Sequence, residues 1–306
     1  MLKFPKNFKF GAAISAMQTE GKGTTEIGKL AFDKFYELDP QKFYDQIGPS
    51  VTSDFMRHYK QDLKMLADIK VESIRTGFSW ARLFPDGDKL NTQAVKFYHD
   101  LIAEMKKNNI QVIMTLFHFD MPLWAQDLGA WESKVVLEKF KNYCEFVFDE
   151  YGGEVELFVT FNEPLVPVFG GYLGDWHYPG VNDVHAAINQ TWGIFLAHAR
   201  AVQIFKQKNI KTSQIGVVYN WNISYPENDS PENKIAAAIH DAYVNTGPMK
   251  IMVNGEISEL LVSTLKEYNC LPKTTPEEIE LVKATKVDFL GINYYFPNRV
   301  RAKPNP

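Results

Sequence analysis

Six short apolar, β-rich runs alternate with amphipathic helical stretches along almost the whole chain, and this alternation limits the fold more than any other property. The runs cover residues 8–14, 71–78, 111–117, 157–161, 214–219 and 287–292. Between them, residues 54–69, 93–108, 133–151 and 184–208 carry apolar positions at helical spacing. Helices that separate strands in this way build right-handed βαβ units and a parallel sheet. No glycine-rich phosphate fingerprint follows the first run, which argues against a dinucleotide-binding fold. Polar and aromatic residues stand after the runs instead: Gln18 and Glu20, Trp80 and Arg82, His118 and Asp120, Asn162 and Glu163, Asn293 and Tyr295. In a (β/α)8 barrel the strand ends converge on one face, where active sites sit. The expected fold is therefore α/β, a TIM (β/α)8-type barrel truncated after about six βα units, with residues 1–306 as one domain.

Composition removes several classes of function. A net charge of −4 without a long basic run argues against nucleic acid as a partner. No stretch reaches the roughly 20 apolar residues of a membrane helix, and residues 1–10 alternate Lys with Phe rather than forming a signal peptide. Cys144 and Cys270 match no metal or redox spacing, so a reducing, cytoplasmic setting is expected. A metal-dependent hydrolase built on His118, Asp120, His177 and His185 lacks any His-x-His or His-Glu-x-x-His spacing, and no metal or other cofactor is expected. Association of several copies stays open.

The stretch Thr160-Phe161-Asn162-Glu163-Pro164 carries the chemistry. It delivers an amide and a carboxyl side by side where the fourth run ends, just before a proline that has no N–H for further pairing. A carboxyl so placed suits a general acid, and amides and an imidazole suit sugar hydroxyls because they both donate and accept.

Five segments in order resemble glycoside hydrolase family 1, the β-glucosidase clan of retaining enzymes. They are the stretch from Phe10 to Gly21 with Gln18, the stretch from Ile74 to Arg82 with Arg75, the stretch from Thr115 to Pro122 with His118, the Thr160-Phe161-Asn162-Glu163-Pro164 motif, and the stretch from Val287 to Tyr295. The resemblance implies that Glu163 is the acid/base and that Asn162 contacts the sugar 2-hydroxyl. It makes Gln18 and His118 sugar ligands, sets Arg75 beside the nucleophile with Asn293 in support, and lets Tyr295 reach that nucleophile. Phe119, Met121 and the segments 35–40, 52–55 and 171–180 look more like bacterial 6-phospho-β-glucosidases, so the implied substrate is a phosphorylated disaccharide or else a plain β-glucoside.

Two features depart from the family pattern. The nucleophile is implied in a Thr-Glu-Asn-Gly-like motif on a seventh strand, and phosphate ligands in the loop after the eighth; the sequence holds neither. Asn254-Gly255-Glu256 has the letters in another order and reads as a solvated loop, and Glu20 reads as a structural group. An open barrel exposes strand edges, and a fragment, a shortened chain and closure by a second copy each explain it. Residues 299–306 read as a frayed polar tail. The alternative to catalysis is a sugar-binding pseudoenzyme or an inactive fragment that keeps Gln18, His118 and Asn162.

Overall fold

The computed structural model describes residues 3–303. Its strands are β1 (Gly11–Ala13), β2 (Ser73–Gly77), β3 (Gln111–Phe117), β4 (Leu157–Asn162), β5 (Gln214–Asn220), β6 (Ser224–Pro226), β7 (Phe289–Asn293) and β8 (Asn298–Val300). The main sheet runs β1-β2-β3-β4-β5-β7, with every neighbouring pair parallel. Each crossover carries helices, as the alternation in the sequence requires. The sheet is an open arc of a TIM-type barrel, with β1 and β7 at its free edges.

The helices start where their side chains supply an acceptor. Asn91 Oδ1 takes the Gln93 and Ala94 N–H groups ahead of helix Thr92–Lys107, and Asp183 takes that of Ala186 ahead of helix Val184–Lys208. Helix Lys134–Tyr151 buries Val136, Leu137, Phe140, Tyr143, Cys144, Val147, Phe148 and Tyr151, a stripe at three- and four-residue spacing that faces the sheet.

An aromatic cluster packs behind the ends of β3 and β4. Trp80, fully buried, lies 5.3 Å from Phe140 and 5.7 Å from Tyr143. Trp131 lies 4.9 Å from Phe117 and 5.3 Å from Phe161. Each such pair adds about 0.5–1.5 kcal/mol beyond area burial, so the ends of the strands that carry His118 and Glu163 rest on a stiff support.

Two expectations need correction. The regular strand at the N-terminus is confined to Gly11–Ala13, flanked by single backbone bonds from the Glu72 N–H to the Phe10 carbonyl and from the Ile14 N–H to the Arg75 carbonyl, each 2.8 Å, while the Phe8 ring stacks with Phe4 at 4.5 Å on the surface. The segment from residue 299 is also not frayed throughout. β8 pairs in parallel with β6, Arg299 donates to the Pro226 carbonyl at 3.2 Å, and the Ala302 N–H reaches Asn233 at 2.8 Å. The last three residues of the expected tail lie outside the described residues.

Candidate active site

At the end of β4 the chain leaves regular geometry. The register with β5 shifts between Val159 and Asn162, and such a bulge re-aims the side chains beyond it. Glu163 then takes φ +46°, a left-handed conformation unusual for a residue with a side chain. Two backbone bonds hold it there: its N–H donates to Val218 O at 2.8 Å, and its carbonyl accepts from Val166 at 3.0 Å. Strain sustained by such surroundings concentrates at functional positions. Asn162 is fully buried, and Glu163 keeps a small window to solvent.

Five of the residues singled out in the sequence form one relay. The Asn293 amide donates to Glu163 Oε1 at 2.5 Å and to Asn162 Oδ1 at 3.1 Å. Asn162 Oδ1 thus accepts, so its NH2 faces His118 Nε2, at 2.9 Å. An amide NH2 only donates, so Nε2 must be the accepting nitrogen and the ring proton belongs on Nδ1. Arg75 Nη1 lies 3.5 Å from that Nδ1, a long contact as expected when two donors face each other. One carboxylate therefore orients two amides and fixes an imidazole tautomer.

The electrostatics agree with a neutral ring. Burial, then the Arg75 charge, pushes His118 down to about 3. Burial also disfavours the Arg75 charge, and the nearby Glu163 and Tyr295 act in the opposite direction.

Gln18 and Tyr295 are not brought into the relay. Gln18 lies on the short helix Ala16–Thr19 beyond β1, is exposed, and accepts from the Ser15 hydroxyl at 2.9 Å. Tyr295 lies past the end of β7 with 72% of its surface exposed. Asn293 closes β7.

Other residues take structural roles. Glu20 is buried against Arg82 at 2.9 Å, with the Tyr98 hydroxyl at 3.2 Å. Glu256 is exposed and paired with Lys250. Trp131 belongs to the core. His177 is buried, and its ring meets Phe32 at 5.0 Å and Phe119 at 5.6 Å around a small aromatic cavity. A larger cleft of about 520 Å³ opens beside the loop after β1, lined by Glu20, Lys22, Lys29 and Arg82. Among the described residues, no second carboxylate side chain bonds to the relay side chains. The sequence reading gave no role to Asp120, which accepts the His118 backbone N–H; its two-residue spacing from His118 was the available signal.

The family model Glycosyl hydrolase family 1 matches residues 1–306. The 6-phospho-beta-glucosidase GmuD of Bacillus subtilis (strain 168) is 37% identical over 99% of this chain and 66% of that protein. A 6-phospho-beta-galactosidase of Clostridium acetobutylicum is 32% identical over 99% of this chain and 64% of its own length. Among solved structures, the beta-glucosidase from Thermotoga maritima in complex with glucoimidazole shares 28% identity at a TM-score of 0.91, covering 99% of this chain and 68% of that one. The chain thus spans about two thirds of the length of the relatives it matches. Because the family match runs from the first residue to the last and the solved relative shares the same fold, the chain belongs to glycosyl hydrolase family 1.

Proposed function

We propose that this chain supplies the acid/base half of a retaining β-glycoside hydrolase whose substrate is a 6-phospho-β-glucoside. The Glu163 carboxyl, gripped by Asn293 and set beside Asn162, carries this reading. Glu163 protonates the glycosidic oxygen and then takes a proton from water in the second step, while a nucleophile about 5–5.5 Å away holds the glycosyl group. Asn162 meets the 2-hydroxyl, His118 the neighbouring hydroxyls, and Gln18 a further one. Arg75 stands beside the nucleophile, and Tyr295 turns toward it. The 37% identity to a 6-phospho-beta-glucosidase supports the phosphorylated sugar over a plain β-glucoside. Two free thiols suit a cytoplasmic setting.

A second reading, a sugar-binding protein without turnover, draws on the absence of a second carboxylate from the relay among the described residues. Hydrolysis of nitrophenyl β-glucoside and of its 6-phosphate by this chain joined to the remaining third of a relative's length, which supplies the nucleophile, with Glu163→Gln beside it, separates the two. Turnover of the phosphorylated substrate that disappears in the variant is the expected result. A folded chain that hydrolyses neither but binds glucose favours the second reading, and faster turnover of the plain glucoside overturns the phosphate assignment.

A further inference from the structure

Beneath His118 lies a carboxylate that the catalytic reading leaves unused. Asp120 is 2% exposed, and its Oδ1 accepts the His118 backbone N–H at 3.0 Å. Phe119, between them, sits at φ +67°, a conformation that a bulky residue keeps only when its surroundings impose it. The carboxylate closes this turn from below, and the Trp80 N–H, just past β2, also acts on it. Its Oδ2 completes no hydrogen bond. Releasing Oδ1 frees the backbone that carries the imidazole of the relay.

We propose that Asp120 is a positioning residue for sugar recognition: its carboxylate, bonded to the His118 main chain across the left-handed Phe119, sets where the imidazole meets the sugar. This rests on the reading of His118 as a sugar ligand. The hold depends on charge, because a hydrogen bond to an ionised acceptor is about twice as strong as one to a neutral acceptor.

The ionisable groups facing Asp120 are Glu20, which is paired with Arg82, and the Tyr98 and Tyr143 phenols; His118 adjoins it through the backbone. Burial pushes Asp120 up to about 6, the His118 N–H opposes that rise, and the Glu20 charge adds to it. The His118 ring, held down to about 3, stays neutral throughout this range. A transition near pH 6 in sugar recognition therefore belongs to the aspartate beneath the histidine and not to the imidazole.

The test follows the His118 backbone amide by nitrogen-15 NMR from pH 4.5 to 7.5, in the unaltered protein and in Asp120→Asn, with glucose titrated at both ends. The Asn carbonyl still accepts the N–H but does not titrate. The expected result is an amide shift with a midpoint near 6 that is flat in the variant, together with glucose affinity several-fold weaker at pH 4.5 than at 7.5 only in the unaltered protein. An amide that does not titrate while glucose binds equally at both pH values overturns the proposal alone. An amide that titrates as expected with no glucose binding at either pH overturns the reading of His118, and the proposal with it. Should Asp120→Asn fail to fold, the two pH arms of the unaltered protein decide by themselves.

Discussion

Asn293 and Glu163, 130 residues apart in sequence, meet at 2.5 Å where β7 and β4 end, and the same amide reaches Asn162 at 3.1 Å. One side chain thus sets the direction of both residues of the motif. The contact depends on β7 lying next to β5, which lies next to β4, so it exists only once the arc has formed.

Replacing Asn293 with Ala removes the donor from two acceptors at once. Leaving partly buried acceptors unpaired costs about 1–3 kcal/mol. Urea unfolding of Asn293→Ala is expected to show a loss in that range with an unchanged denaturant slope. A loss under about 0.5 kcal/mol would mean that water takes over the amide's role, and the relay would then not need Asn293.

The Glu20–Arg82 pair makes an unequal prediction for its two members. Arg82 also donates to the Lys22 carbonyl at 3.0 Å, the Thr25 hydroxyl at 3.0 Å and the Gly21 carbonyl at 2.7 Å. Arg82→Met strands a buried carboxylate and three loop acceptors, and is expected to cost about 3–5 kcal/mol. Glu20→Gln keeps an acceptor for Arg82 Nε and every loop bond, so about 1–2 kcal/mol is expected. Equal losses on chemical denaturation would show that the loop bonds contribute nothing beyond the ion pair.

What the sequence revealed follows from the range of each signal. The run at 111–117 became β3 with no change of boundary, and the pattern at 184–208 became one helix, because long apolar periodicities are local and strong. β6 and β8, three residues each, are too short to show a period and were missed. At the site, residue types and order singled out His118, Asn162, Glu163 and Asn293, and the family resemblance added Arg75. Their bonding order was not legible, because it depends on the bulge in β4 and on contacts across more than a hundred residues. The exposure of Gln18 and Tyr295 was equally hidden, since both lie beyond strand ends, where periodicity says nothing about direction.

His198 makes stability depend on pH in a defined window. Its Nε2–H donates to the Met252 carbonyl at 2.6 Å and its Nδ1 faces the Thr160 hydroxyl at 2.8 Å. Burial holds it down to about 4, from 6.5 in the unfolded chain, with the Met252 bond opposing the shift. The unfolded state therefore takes up its proton first, so the contribution is full above pH 6.5 and declines as pH falls toward 4. The span corresponds to at most about 3 kcal/mol. Asp120, pushed up, acts with the opposite sign between about 4 and 6, but it is common to variant and parent and cancels in their difference. Urea midpoints of His198→Gln and the parent are expected to converge as pH drops from 6.5 to 4. A gap that stays constant across that range would mean that His198 is not held neutral.

Gly193 lies within helix Val184–Lys208 where the helix meets the Ala130–Glu132 turn. A Cβ built there would stand 1.8 Å from the Trp131 carbonyl oxygen, which is backbone and has no rotamer to escape by. Ala is the better helix former by about 1 kcal/mol, yet the overlap forces the helix away from the turn. The Trp131 ring is wedged among Phe117, Phe140 and Phe161, so any displacement passes to the ends of β3 and β4. Gly193→Ala is expected to lose at least about 3 kcal/mol, whereas Gly153→Ala, whose added methyl would meet nothing within 4 Å, should stay within about 0.5 kcal/mol of the parent. Thermal unfolding of the two variants compares them directly. A Gly193→Ala protein as stable as Gly153→Ala would show that the helix slides freely over the turn, and that the aromatic cluster does not fix the two strand ends on which the site is built.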